Sequence, residues 1–144
     1  MSREPAHGDK PRYVLDTSAL LTFSGEEPGA DAVGALLAKA RQGAVRVYLS
    51  FMSVMEAGDK AYQARGEDGL AAVLASVQQL PITRVDCSDE VIALAARIKG
   101  LYRVSLADAW ILATAKHLDA ILVHKDPEFE SAAAEIQLQA LPYR

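Results

Sequence analysis

Tyr13-Val14-Leu15 is a short apolar, β-prone run that ends in Asp16, and two hydroxyl residues, Thr17 and Ser18, lead directly into a second apolar run, Ala19-Leu20-Leu21. The charge therefore stands where a strand hands over to a helix. In an open α/β sheet, side chains at the carboxyl ends of parallel strands point into the crevice where such folds bind ligands. Asp16 is placed to face a ligand there, with Ser18 capping the helix or supporting the carboxylate. A lone Asp after a strand also serves simply as a helix cap. What separates the two readings is whether other acids reach the same place.

The rest of the chain repeats this alternation. Ser24 to Gly29 is a loop of turn formers, and Asp31 is expected to cap a helix whose Val33, Leu36, Leu37 and Ala40 recur on one face before Gly43 stops it. Val45 to Ser50 alternates and is rich in β-branched residues, the pattern of a second strand. Ser53 and Glu56 have the spacing of a capping box, which opens a helix running to about Ala64. Gly66 to Gly69 then turns the chain into a helical partner over Leu70 to Val77. The two helices form a hairpin whose apolar face covers the sheet or pairs with another molecule.

Pro81 ends that hairpin, and Ile82 to Cys87 reads as a third strand with Cys87 as a small core residue near its end. Ser88 caps a helix from Asp89 to Lys99. Ser105 and Asp108 repeat the capping-box spacing and open the most apolar helix of the chain, Ala107 to His117, which should be central and covered. Ala120 to Val123 is a further strand, Asp126 and Pro127 open another helix, and Ile136 to Leu141 is a last strand. Strands alternating with helices imply a three-layer α/β/α domain with a mainly parallel central sheet. Right-handed crossovers bring every strand-to-helix junction to one edge.

A chain of 144 residues is long enough to bury a core as one domain. The polar, Pro- and Gly-containing stretch 1–12 reads as a flexible leader, with the domain occupying 13–144. A net charge of −4 argues against a protein that grips nucleic acid by a basic surface, although metal ions can mediate contact with RNA or DNA. The single cysteine excludes an internal disulfide and fits a reducing cytoplasm. No apolar run approaches the roughly twenty residues of a membrane span, so no membrane partner is expected.

Asp16, Glu56, Asp108 and Asp126 all fall at starts of helices. Capping accounts for each singly but predicts no convergence, whereas the topology does predict it. Two unit charges 4 Å apart repel by about 4 kcal/mol at an effective dielectric near 20, so a cluster of four carboxylates needs cations. A site of carboxylates without Cys or clustered His suits Mg²⁺ or Mn²⁺. Such ions can activate a water and neutralise a phosphodiester, which makes metal-dependent phosphodiester hydrolysis the natural reaction class.

The segments Val14 to Leu20, Ser53 to Glu56, Ser105 to Ala115 and Asp126 to Phe129 resemble, in order, the four characteristic blocks of PIN domains, and the size and layout are similar to VapC toxins of toxin–antitoxin pairs. The resemblance runs from Tyr13 onward. It implies a divalent-metal-dependent endoribonuclease, silenced by a cognate antitoxin protein and forming a homodimer through its early helices. Asp16, Glu56, Asp108 and Asp126 take the acidic metal-site positions, and Ser18 is the hydroxyl that supports Asp16. One departure is His124, where the family often has Thr or Ser; it is a metal ligand, a proton-transfer group or a structural residue. Lys125 either contacts phosphate or is solvated. Two other readings compete. A haloacid dehalogenase-type phosphatase would carry a second Asp where this chain has Ser18, and a catalytically inactive PIN-like binding or regulatory module would be expected to lose acids that this chain keeps.

Overall fold

The computed structural model describes residues 9–143. Most of the expected leader lies outside these residues, and its last member, Arg12, already belongs to the first strand. The elements are β1 (Arg12–Leu15), α1 (Thr17–Ser24), α2 (Ala30–Arg41), β2 (Arg46–Ser50), α3 (Phe51–Gln79), β3 (Thr83–Val85), α4 (Asp89–Leu101), α5 (Leu106–Leu118), β4 (Ile121–His124), a 3₁₀ segment (Pro127–Ala132) and β5 (Leu138–Ala140).

The five strands form one sheet in the order β3-β2-β1-β4-β5, and every pairing is parallel. The chain moves outward from β1 through β2 to β3, then returns to the other side of β1 to lay down β4. That reversal makes the carboxyl ends of β1 and β4 the switch point at which open α/β sheets bind ligands. The backbone N–H of Asp16 donates to the carbonyl of Val123 at 3.0 Å, so the two strand ends are joined where the first acid emerges.

Strand alternation sends neighbours to opposite faces. Val14 and Leu122 pack with Val91, Ile98, Ile111 and Leu112 of α4 and α5 on one face. Leu15 and Val123 pack with Leu20, Val33, Leu37 and Ala57 of α1, α2 and α3 on the other. The sheet is thus covered on both sides, as the three-layer reading requires. α5 buries Ala109 and Ile111 through Ala115, as expected from its nearly unbroken apolar sequence.

α3 is two helices meeting at a break, where Arg65 (φ −142°) and Gly66 (φ 63°, ψ −148°) leave helical geometry. Gly66 occupies a region of backbone space that side chains rarely tolerate. The expected hairpin is tightly closed: a Cβ built on Gly69 would lie 2.4 Å from the Ala61 carbonyl oxygen, and one on Gly58 would lie 3.0 Å from Leu70 Cδ1.

Four local expectations are corrected. Ser53 does not cap α3. β2 runs into the helix without a loop, so Ser50 becomes the cap, accepting from the Met52 N–H at 3.1 Å, while Ser53 is fully buried inside the first turn. Asp31 sits in the first turn of α2, whose N-cap is Gly29 with φ 101°. Cys87 is exposed rather than in the core, because β3 is a three-residue edge strand and the chain has left the sheet before reaching it. The element opened by Pro127 is a 3₁₀ segment, with Asp126 capping it through the Glu128 N–H.

Gly69→Ala should lower stability by about 1–3 kcal/mol, since its Cβ meets backbone rather than a flexible side chain. Urea unfolding measures this, and an unchanged midpoint would show that the hairpin can open at that level without cost.

Candidate active site

Asp16 leaves β1 as the N-cap of α1, and both its oxygens are used: Oδ1 accepts from the Ala19 N–H at 2.6 Å and Oδ2 from the Ser18 hydroxyl at 2.7 Å. It is only 3% exposed. Burial outweighs those hydrogen bonds and, with a smaller push from the Asp126 charge, raises its pKa to about 6. Ser18 thus supports the carboxylate as expected, and the same carboxylate caps α1.

Glu56 stands in the second turn of α3, and Thr17 Oγ1 donates to its Oε1 at 2.5 Å. The same Thr17 oxygen lies 3.1 Å from Ser53 Oγ. Ser53 and Glu56 are three residues apart on a helix and share a face, so Thr17 at the start of α1 is clasped between them. The roles of Thr17 and Ser53 in fixing Glu56 were not read from sequence. The legible signal was the hydroxyl after Asp16, but its partner came from a helix 36 residues away.

Asp108 lies in the first turn of α5, whose cap Ser105 accepts from the Asp108 N–H at 3.1 Å. Burial first, and then the charge of Asp126, push its pKa up to about 7. Asp126 holds the 3₁₀ segment through the Glu128 N–H at 2.9 Å. Among the described residues, Asp108, Asp126 and Glu128 can each offer one carboxylate oxygen with all three oxygens within 4.8 Å of one another, close enough to share a cation. Glu128 was missed as a candidate because an acid in a first turn is already explained by the helix dipole.

All four sequence-predicted acids line a single cleft of about 190 Å³, together with Ser18 and Lys60. An oxygen-only donor set of this kind fits a hard divalent ion such as Mg²⁺ or Mn²⁺. The raised values of Asp16 and Asp108 fit it as well, since buried neighbouring carboxylates without a cation resist ionisation.

The two residues after Val123 are structural. His124 is 1% exposed, its Nδ1 accepts from the Asp126 N–H at 3.2 Å, and its ring meets Phe129 edge-on at 5.4 Å. An accepting Nδ1 means a neutral ring protonated at Nε2, and burial lowers the pKa in keeping with this. Lys125 is neither solvated nor free for phosphate. With its side chain 7% exposed, its Nζ donates to Thr22 Oγ1, Glu27 Oε1 and the Pro28 carbonyl, bracing the loop between α1 and α2.

The PIN domain description matches residues 13–135. The chain belongs to the PIN domain family. No curated protein matches it significantly. Among solved structures, this PIN domain is similar to VapBC2 from Rickettsia felis bound to a promoter DNA fragment, with TM-score 0.71 and 16% identity over 91% of this chain and 99% of that one. It is similar to DNA-bound VapBC from Salmonella typhimurium, with TM-score 0.70 and 19% identity over 90% of this chain and 98% of that one. It is also similar to Mycobacterium tuberculosis VapC20, a toxin that cleaves the sarcin–ricin loop, with TM-score 0.66 and 15% identity over 88% of this chain and 98% of that one.

The electrostatics of this PIN domain give a signed expectation. Asp108 binds its proton more tightly folded than unfolded, so stability present at low pH is lost as pH climbs from the ordinary 3.8 through about 7. In the metal-free chain at about pH 8, Asp108→Asn should therefore stabilise by about 1–2 kcal/mol after allowance for solvent screening. Below the ordinary carboxylate range the gain should vanish. Thermal unfolding at the two pH values checks this, and a gain of equal size at both would mean that charge is not its origin.

Proposed function

We propose that this PIN domain is a divalent-metal-dependent endoribonuclease and the toxin of a type II toxin–antitoxin pair. The observation that carries the reading is the convergence of Asp16, Glu56, Asp108 and Asp126 on one cleft at the switch point of the sheet. Similarity to VapBC complexes and to an RNA-cleaving toxin supports the biological setting.

In this reading Asp108 and Asp126, with Glu128 at the exposed side, hold Mg²⁺ or Mn²⁺, and Asp16 and Glu56 complete the acidic wall. A bound ion supplies an activated water and a counter-charge for the phosphodiester. Ser18 orients Asp16, and Thr17 orients Glu56. These clasps hold each carboxylate in place before substrate arrives, so less ordering is left to the reaction itself.

A protein partner is part of the proposal. The α3 hairpin exposes Met55 (55%), Tyr62 (49%) and Leu74 (39%) around a largely apolar groove of about 500 Å³. Isolated exposed apolar residues are ordinary, but several rimming one groove mark an interaction surface. A cognate antitoxin and a second copy of the chain, as a homodimer, are the proposed occupants of this side. No helix of the described residues is long and apolar enough to cross a membrane, and the proposed location is the cytoplasm. An inactive PIN-like binding module remains the competing reading, against which stands the retention of all four acids.

The test is incubation of the partner-free chain with total cellular RNA in Mg²⁺, in Mn²⁺ and in EDTA. Discrete metal-dependent fragments are expected, and Asp16→Asn should abolish them while leaving the circular dichroism spectrum unchanged. A folded Asp16→Asn protein with full activity would remove Asp16 from the chemistry. Absence of cleavage in either metal would favour the binding module.

A further inference from the structure

Lys60 lies one helical turn beyond Glu56 on α3 and so shares its face. It is the only cation lining the acidic cleft among the described residues. It is exposed, and it makes no hydrogen bond or ion pair within them. A cation without a partner among the described residues, beside a cluster of carboxylates, is available to an incoming anion, whereas Lys125 nearby is fully engaged.

Lys60 and Ser18 also line a second cavity, of about 460 Å³, that adjoins the cleft. Leu21 and Tyr143 give this cavity an apolar and aromatic wall, and Thr22 and Glu27 add polar groups, with Lys125 already bound to both. Tyr143 is braced: its hydroxyl donates to Glu130 Oε1 at 2.9 Å, and its ring lies against His124 at a centroid distance of 6.1 Å. A free cation at the junction, with a braced aromatic ring and hydrogen-bonding groups beyond it, matches the three needs of a nucleotide: phosphate neutralisation, base stacking and edge recognition.

We infer that this second cavity binds the nucleoside of single-stranded RNA adjacent to the scissile phosphate, with Lys60 holding the intervening phosphate and the base entering between Leu21 and Tyr143. The inference rests on the ribonuclease reading for the position of the scissile phosphate. It places substrate selection outside the acidic cleft, in a chamber whose lining comes from α1, the α1–α2 loop, α3, the residue after β4 and the carboxyl-terminal segment.

The test uses the full chain carrying Asp16→Asn as parent, with a short fluorescent single-stranded RNA in Mg²⁺ and anisotropy as readout. Adding Lys60→Gln should weaken binding about tenfold and flatten the log affinity against log salt slope by about 0.7. Lys60→Arg should recover most of that loss. Adding Tyr143→Leu should weaken binding at least about fivefold without changing the salt slope, because stacking rather than charge is lost. Lys60→Gln binding like the parent overturns the inference, as does Tyr143→Leu binding like the parent or a parent with no affinity for RNA. Failure of the native chain to cleave RNA in metal bears on the nuclease reading alone, since the binding comparison does not depend on turnover.

Discussion

Burial of carboxylates at the carboxyl edge of the sheet, with their mutual repulsion as a second part, is the constraint around which the rest of this structure is arranged. β1 is central, so Asp16 at its end is carried into the interior whether or not its charge is welcome there. Asp108 and Asp126 approach the same point from α5 and from the end of β4. Burial first, and the neighbouring Asp126 charge second, raise the pKa values of Asp16 and Asp108. Under the proposed nuclease reading, a cation bound there would relieve that penalty.

Against that repulsion the fold sets short hydroxyl clasps. Ser18 serves Asp16, Thr17 serves Glu56, and Ser105 caps the turn that carries Asp108. Each clasp is local except that of Thr17, which ties the first turn of α1 to the start of α3 and so holds two acids at a set separation. The β4 end is secured differently. His124 presents an acceptor nitrogen to the Asp126 N–H, the service a Thr or Ser hydroxyl can perform in a tight turn. Its larger ring also fills space against Phe129. Lys125 points the other way and ties the α1–α2 loop to the sheet.

The α3 hairpin belongs to a different problem. Its close approach at Gly58 and Gly69 needs the absence of side chains, and its partly exposed apolar face is only half used by the core. One side of the element contributes Ala57 to the core and Glu56 to the cleft, while Met55 and Tyr62 face outward. The acidic cleft and the exposed apolar groove thus both draw on one helix.

The sequence by itself determined the alternation of strands and helices, because periodicity and turn residues report local burial and backbone geometry. With right-handed crossovers it also determined that Asp16, Glu56, Asp108 and Asp126 would meet, since parallel strands share one carboxyl edge. Only the tertiary structure decided what surrounds them. Ser53 became a buried clasp instead of a cap because β2 enters α3 without a loop. Cys87 fell outside the core because β3 ends early at the sheet edge. Glu128 joined the acids, Lys125 became a strut, and Lys60 was left beside the cleft. These outcomes depend on contacts between elements far apart in the chain, where local spacing carries no information about which side chains will meet.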